Sequence, residues 1–94
     1  MANNITTNPW ILDTTTTSVI WPCTLYVDHY EFVDYTNDMD TCTIKNGAGV
    51  EVWKANGASD LEEVRSGKVG VVHGGLYLSQ LSAGKVRVFL GRPS

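Results

Sequence analysis

The stretch Thr-Cys-Thr-Ile-Lys-Asn-Gly-Ala-Gly-Val-Glu-Val-Trp-Lys at residues 41–54 decides the fold class, because its pattern is that of a β-hairpin. Two runs rich in β-branched residues flank residues 46–49, Asn-Gly-Ala-Gly. Glycine adopts the positive φ angles of a tight reversal without steric cost. Alternation along the first strand places Cys42 and Ile44 together on one face. The stretch therefore predicts two antiparallel strands joined by a short turn.

The second strand of this hairpin contains one unusual residue. Alternation gives its apolar face to Val50 and Val52 and places Glu51 and Trp53 on the opposite face. Trp53 is then a large apolar side chain on a side that would otherwise be polar. If it lies beneath its own chain, the hairpin is a core element. If it lies beneath another subunit, the hairpin belongs to an assembly surface.

Seven or eight short strands are predicted along the whole chain, at spacings of about 8 to 12 residues and separated by turns that contain glycine. We therefore predict an all-β protein, a small antiparallel β-sandwich or barrel that is jelly-roll-like. Residues 1–17 are predicted to form an extended N-terminal arm, and residues 18–94 a single β-domain. The arm leads into a predicted strand at residues 18–21. Residues 61–65 allow either a single helical turn or another strand.

The longest predicted strand covers residues 24–34 and has no cleanly polar face. Strict alternation places Tyr26, Tyr30 and Phe32 on one side. Either another layer or another subunit covers this aromatic side, or a β-bulge exchanges the two faces midway along the strand. The pattern leaves these alternatives open.

Charge and hydropathy argue against nucleic-acid and membrane partners. Seven Lys and Arg against ten Asp and Glu give a net charge of -3 in 94 residues, without a basic cluster. Nucleic-acid binding needs a focused positive surface. No apolar run approaches the roughly 18 residues of a membrane-spanning helix. The first residues lack the pattern of a signal peptide, so we expect synthesis in a cytoplasm.

No catalytic residue, cofactor or metal site is predicted. His29 follows Asp28 directly, and because neighbouring strand residues point to opposite faces, we expect no His–carboxylate pair there. No serine or cysteine in a known nucleophile motif accompanies His73. Cys23 and Cys42 are expected to be buried thiols. The histidines and cysteines do not have the spacing of a zinc site.

Acidic residues cluster around the turn at residues 35–40. Asp34, Asp38 and Asp40 could offer carboxylate oxygens to calcium, but the segment lacks the glycine and the bidentate glutamate of an EF-hand loop. We interpret it as a solvated acidic turn.

Aromatic residues make up 10% of the chain, more than a core of this size would absorb. Some of them are therefore expected at the surface or beneath a partner. The arm is expected to dock on its own domain or on a neighbour. The predicted partner-binding residues are Trp10, Ile11 and Leu12 in the arm, and Tyr30, Phe32 and Trp53 in the domain.

Four segments carry a resemblance that spans nearly the whole chain. They are residues 8–14 (Asn-Pro-Trp-Ile-Leu-Asp-Thr), residues 45–53 of the hairpin, residues 75–78 (Gly-Leu-Tyr-Leu) and residues 82–90 (Ser-Ala-Gly-Lys-Val-Arg-Val-Phe-Leu). In this order, the strands and turns resemble those of small all-β proteins encoded among the structural genes of tailed bacteriophages. The acidic turn at residues 37–40 and the two cysteines depart from that pattern.

The resemblance implies a non-enzymatic structural protein of the virion. We expect a capsid decoration (cement) protein on the capsid exterior, made in the host bacterial cytoplasm. Its implied partners are the major capsid protein and further copies of itself, as a dimer or trimer. Two alternatives stay open: a tail or fibre component that uses the same residues, and, from a different class, a carbohydrate-binding module that stacks sugar rings on tryptophan and tyrosine.

Overall fold

Eight short strands make up the protein in a computed structural model, which describes residues 3–6, 8–17, 19, 23–59 and 61–91. They are β1 (Trp10–Leu12), β2 (Leu25–Val33), β3 (Thr41–Asn46), β4 (Glu51–Asn56), β5 (Val64–Arg65), β6 (Gly70–Val72), β7 (Leu76–Leu81) and β8 (Lys85–Leu90). The described residues contain no helix, and the segment at residues 61–65 ends in β5. The strand predicted at residues 18–21 lies, apart from Val19, outside the described residues.

The strands form two antiparallel sheets. Sheet A has the order β1-β8-β2, and β5 and β6 both pair with the far edge of β2, at its two ends. Sheet B has the order β4-β3-β7. The predicted all-β class is therefore confirmed, in the form of a small sandwich.

The core lies between the two sheets and takes side chains from both. In sheet A, Val86 and Val88 of β8 are fully buried, as their alternation with charged residues predicts. In sheet B, Cys42 and Ile44 of β3 are fully buried, again as predicted. Hydrophobic burial of this kind is the main force that holds the two layers together.

The hairpin predicted at residues 41–54 is present as β3 and β4. Asn46 closes its turn: the backbone N–H donates to the Val50 carbonyl oxygen at 2.9 Å, and the side-chain Oδ1 accepts from the N–H groups of Ala48 and Val50. Gly49 has φ of 78°, a conformation that glycine adopts without strain. The turn is therefore stabilised by hydrogen bonds to the Asn46 side chain and by the left-handed conformation of Gly49.

A β-bulge shifts the register of this hairpin. Ile44 of β3 pairs with Trp53, but the next residue, Lys45, pairs with Glu51, so Val52 is an extra residue in β4. A bulge of this kind changes which side chains of the strand point toward the core.

Because of the bulge, Trp53 faces the core. Its ring stacks on that of Tyr30 in sheet A, with centroids 5.2 Å apart, and Ala55, two positions on, is buried. Val50 was predicted to lie on the apolar face of this strand. It is 57% exposed, so the prediction is wrong for this residue. Trp53 therefore packs beneath its own chain, although part of it stays exposed.

The arm packs on its own domain as the edge strand β1, which pairs with β8. Trp10 is 5% exposed and Leu12 fully buried, whereas Ile11 is half-buried on the outer side. The side-chain amide of Asn8 adds two bonds to Leu90, one to its carbonyl and one from its N–H. Residues 8–12 thus extend sheet A.

The polar residues before β1 are also held. Asn4 and Ile11 exchange two backbone hydrogen bonds of 2.8 Å. The side chain of Asn3 accepts from the N–H groups of Asp13 and Thr14 at 2.9 Å. These bonds restrain residues 3–6, which precede the edge strand.

Tyr30 allows a test of the core. Its ring is fully buried, and its hydroxyl has no hydrogen-bond partner within the described part of the chain. Burial also raises the pKa of this hydroxyl. Because an unsatisfied buried hydroxyl costs free energy, Tyr30→Phe is expected to raise the free energy of unfolding by about 1 kcal/mol.

Tyr35 provides a matched control, since its hydroxyl donates to the Glu62 carbonyl and accepts from the Ala58 N–H at 2.9 Å. Tyr35→Phe is expected to lower the free energy of unfolding by about 1 kcal/mol. Urea denaturation of both variants measures the two changes. A loss of stability in Tyr30→Phe would show that its hydroxyl is satisfied in solution.

Candidate functional site

A second β-bulge, in β2, determines which side chains reach the outer face of sheet A. The register between β2 and β8 shifts between Val27 and His29. Before the shift, Leu25 and Val27 are buried; after it, Tyr30 and Phe32 are buried. The bulge interpretation of this strand is therefore confirmed. The Tyr30 ring stacks on Trp53 of sheet B, and the Phe32 ring stacks on Tyr35.

The bulge leaves a partly apolar strip on the outer face. Tyr26 is 40% exposed and pairs across strands with Val71 of β6, which is 46% exposed. Beyond the bulge, the ring of His29 stacks on Phe89 of β8, with centroids 4.3 Å apart. We call Tyr26, Val71, His29 and Phe89 the outer strip.

Asp28 and His29 form a pair, so the expectation that they cannot meet is wrong. The Asp28 Oδ2 lies 2.7 Å from the His29 Nδ1. The bulge interrupts strict alternation and turns two consecutive side chains toward each other. The His29 Nε2 faces the Glu31 Oε2 at 3.7 Å, and the ring lies against Phe89 with 20% of the side chain exposed. The carboxylates orient the imidazole within the sheet surface.

A row of charged residues crosses sheet A beside the outer strip. Glu31 of β2 pairs across strands with Arg65 of β5 and with Arg87 of β8. Its Oε2 lies 2.6 Å from the Arg65 Nη2 and 2.9 Å from the Arg65 Nε, and its Oε1 lies 3.6 Å from the Arg87 Nη1. The Glu31 carboxylate is buried although it is on the outer face. We call Arg65, Glu31 and Arg87 the charge row.

A shallow depression of about 380 Å³ adjoins the charge row. Its lining residues are Val33, Asp34, Leu61, Glu62, Glu63 and Arg87. The Lys85 Nζ lies 3.0 Å from the Asp34 Oδ2, and the Arg65 Nη2 lies 3.3 Å from the Glu63 Oε1. The depression is therefore bordered by ion pairs of sheet A.

Two residues that line this depression have left-handed backbone conformations, Asp34 with φ of 58° and Leu61 with φ of 60°. Asp tolerates this region, but for Leu it is strained. Leu61 is 51% exposed, so an apolar side chain is displayed at the rim. The Tyr35 hydroxyl is hydrogen-bonded to the backbone of Ala58 and of Glu62, which lie on either side of Leu61 in the sequence.

The six predicted partner-binding residues do not form one surface. Trp10, Leu12, Tyr30 and Phe32 are buried within the chain's own core. Ile11 lies on the outer side of sheet A opposite Arg87, whereas Trp53 lies in β4 at the edge of sheet B. The residues exposed beside the charge row are instead those of the outer strip.

The spacing of the apolar residues in β2 was the available signal for this surface. Leu25 and Val27 are two apart, as are Tyr30 and Phe32, but three positions separate Val27 from Tyr30. All four side chains can face the core only if a bulge places one extra residue between the two pairs. That same residue moves Tyr26 to the outer face.

Asp40 stabilises the acidic turn. Its side chain is buried, so the expectation of a solvated turn is wrong for this residue. Its Oδ2 accepts from the N–H groups of Thr36 and Asn37 at 2.8 and 3.1 Å, and its Oδ1 accepts from the Ser82 hydroxyl at 3.0 Å. The bond from the Thr36 N–H is the main cause that lowers the pKa of the Asp40 carboxyl. The carboxylate organises the turn and ties it to the segment before β8.

Asp40 makes stability depend on pH. Because its pKa is lower in the folded than in the unfolded chain, its stabilisation is complete above the ordinary Asp pKa of about 4 and is lost as the pH falls through the folded value. Asp40→Asn is expected to flatten the loss of urea stability below that pH, while Asp38→Asn, at an exposed position of the same turn, leaves the profile unchanged. An unaltered acid profile in Asp40→Asn would contradict this assignment.

The two cysteines differ. Cys42 is fully buried, and burial raises the pKa of its thiol to about 12, so it is protonated at neutral pH. Cys23, just before β2, is exposed, so the expectation of burial is wrong for this residue. Within the described residues, no three His, Cys, Asp or Glu side chains are grouped to hold a metal ion.

No helix in the described part of the chain is long and apolar enough to cross a membrane. No protein-family model matches the chain, and no significant match exists among curated proteins or solved structures.

Proposed function

We propose that the chain is a non-enzymatic structural protein of a bacteriophage virion, which binds the outside of the capsid and stabilises it as a decoration protein. Its partners in this role are the major capsid protein and further copies of the chain. The outer strip and the charge row of sheet A are the contact surface.

One observation carries this proposal: aromatic and arginine side chains are gathered on a single sheet face. Such side chains are enriched at the centres of protein interfaces. Tyr26 and Val71 are exposed next to each other, and Arg65 keeps 58% of its side chain exposed while it holds Glu31. A rigid face of this kind binds another surface with little loss of side-chain entropy.

The geometry also suits attachment in many copies. A capsid presents many equivalent sites, so each contact needs only modest affinity when neighbouring copies are linked. The outer strip is small, and its apolar residues are interrupted by the Asp28–His29 pair. A small surface in an oligomer meets this requirement better than it would in a single copy.

Co-sedimentation with capsid shells of the phage that encodes the chain tests the proposal. The double variant Tyr26→Lys/Val71→Glu is expected to weaken shell binding by about tenfold or more, since it places two charges in the contact, and the opposite signs avoid repulsion between these paired positions. Both side chains are exposed, so the fold should be retained. Met39→Glu, at a position 81% exposed in the acidic turn, is the matched control and should bind as the wild type does.

Two results would overturn the proposal. Wild-type chain that does not sediment with shells is not a decoration protein, and equal binding by the double variant would remove sheet A as the contact. A glycan array tests the carbohydrate-binding alternative, which needs exposed tryptophan or tyrosine rings. Of the tryptophans described, Trp10 is buried and Trp53 packs on Tyr30.

A further inference from the structure

β4 is a long free edge of sheet B. Within the described residues it pairs with β3 alone over Glu51–Asn56. The other edges are covered or short: Ile11 of β1 is bonded to Asn4, the Leu78 carbonyl of β7 accepts from the Thr16 N–H at 3.0 Å, and β5 and β6 have two and three residues. The outward backbone groups of an edge strand pair readily with another strand.

The bulge at Val52 brings both charged side chains of β4 to the same side. Lys54 pairs with Thr43 and Glu51 pairs with Lys45. Because Thr43 and Lys45 are two apart in β3, they share a face, and so do Lys54 and Glu51. Both are exposed on the outer side of sheet B. Without the bulge they would point to opposite sides.

This arrangement is self-complementary about a two-fold axis. When the axis is perpendicular to the sheet and lies midway between the two β4 strands at Trp53, antiparallel pairing places Lys54 of each copy opposite Glu51 of the other, because Val52 is the extra residue of the bulge. Opposite charges in cross-strand pairs stabilise a sheet. On the inner side, the exposed Val50 of one copy comes opposite Ala55 of the other, and the two Trp53 residues face each other at the axis.

We propose that two copies of the chain associate through β4 in this register, so that their B sheets join into one continuous sheet. The dimer has the isologous two-fold symmetry that is commonest among soluble oligomers. The two Glu51–Lys54 pairs fix the register, and the unpaired backbone groups of both edges become hydrogen-bonded. This inference deepens the oligomer part of the proposed function and does not depend on capsid binding.

Sedimentation equilibrium over a concentration series up to millimolar tests the pairing. The wild type is expected to reach twice the 10.3 kDa mass of one chain. Glu51→Lys and Lys54→Glu should each weaken association by about tenfold or more, because each replaces two attractive pairs with two repulsive ones. An equimolar mixture of the two variants should associate again, since every cross-strand pair in the mixed dimer joins a cation to a carboxylate.

Asp38→Lys and Lys68→Glu make the same charge changes at exposed positions outside β4 and should leave association unchanged. Circular dichroism confirms that each variant is folded. Glu51→Gln and Lys54→Gln serve if a charge reversal is not tolerated, with a smaller loss of association.

Three results would overturn the dimer: a wild type that is monomeric throughout the series, single variants that associate as tightly as the wild type, or a mixture that does not recover association. Shells are absent from this measurement. A dimer that fails to bind shells would therefore contradict only the capsid proposal, and a monomer that binds shells would contradict only the β4 pairing.

Discussion

Leu12→Ala is expected to lower the free energy of unfolding by about 2–5 kcal/mol, the cost of a cavity left by a fully buried leucine. Leu12 has no exposed surface and belongs to the strand β1 at the edge of sheet A. Urea denaturation followed by circular dichroism measures the loss. A change of this size would establish that the N-terminal segment is part of the chain's own core.

Ile11→Ala is the matched control, because Ile11 is the neighbouring residue in the same strand and is half-buried on the outer face. Its loss should stay near 1 kcal/mol, since partial burial contributes less. Equal, small losses in both variants would indicate that residues 10–12 are not docked on this domain in solution. Deletion of residues 1–12 would not make this distinction, because it removes a core strand.

Glu31→Ala is expected to lower the free energy of unfolding by about 3 kcal/mol, because removal of one partner leaves the other charges of a buried ion pair uncompensated. The value is at the lower end of the usual range, since the Arg65 side chain is 58% exposed and water can solvate it. Glu31 also links β5 to β8 across β2. Its loss should therefore weaken the sheet on both sides.

Glu63→Ala provides the comparison, because Glu63 contacts the same arginine at 3.3 Å but is 49% exposed. An exposed ion pair contributes at most about 1 kcal/mol, so this variant should remain close to the wild type. Chemical denaturation of both variants at low and high salt separates the two environments. If Glu63→Ala proved as costly as Glu31→Ala, burial would not be what gives the charge row its strength.

The strands and the all-β class could be predicted because their signals are local. Turn glycines and alternation in β3 and β8 depend only on neighbouring residues, and Cys42, Ile44, Val86 and Val88 are buried as their spacing predicts. The pairing of strands and the assignment of β1 to its own domain depend on contacts between distant residues. Those contacts are not encoded in any short pattern.

The candidate site was harder to predict, because two bulges determine it. An extra residue in a strand reverses the faces beyond it, so strict alternation misplaced Trp53, separated Asp28 from His29 and grouped Tyr26 with the core aromatics. A bulge depends on how a strand pairs with a distant partner strand, and local alternation does not show that pairing. In β2 the three-residue interval before Tyr30 was a signal of it.

The proposed capsid contact uses residues different from those that the sequence favoured. Tyr30 and Phe32 are fully buried in the chain's own core, while Tyr26 and Phe89 lie on the outer face. Any contact through the first pair would require the sandwich to open. The outer strip needs no such change.

A cryo-EM map of shells decorated with the protein tests the central claim most directly. The predicted result is density for the β-sandwich on the outside of the shell, with the outer strip and charge row of sheet A against the major capsid protein. Density confined to the tail, or a bound sandwich whose sheet A faces solvent, would contradict it.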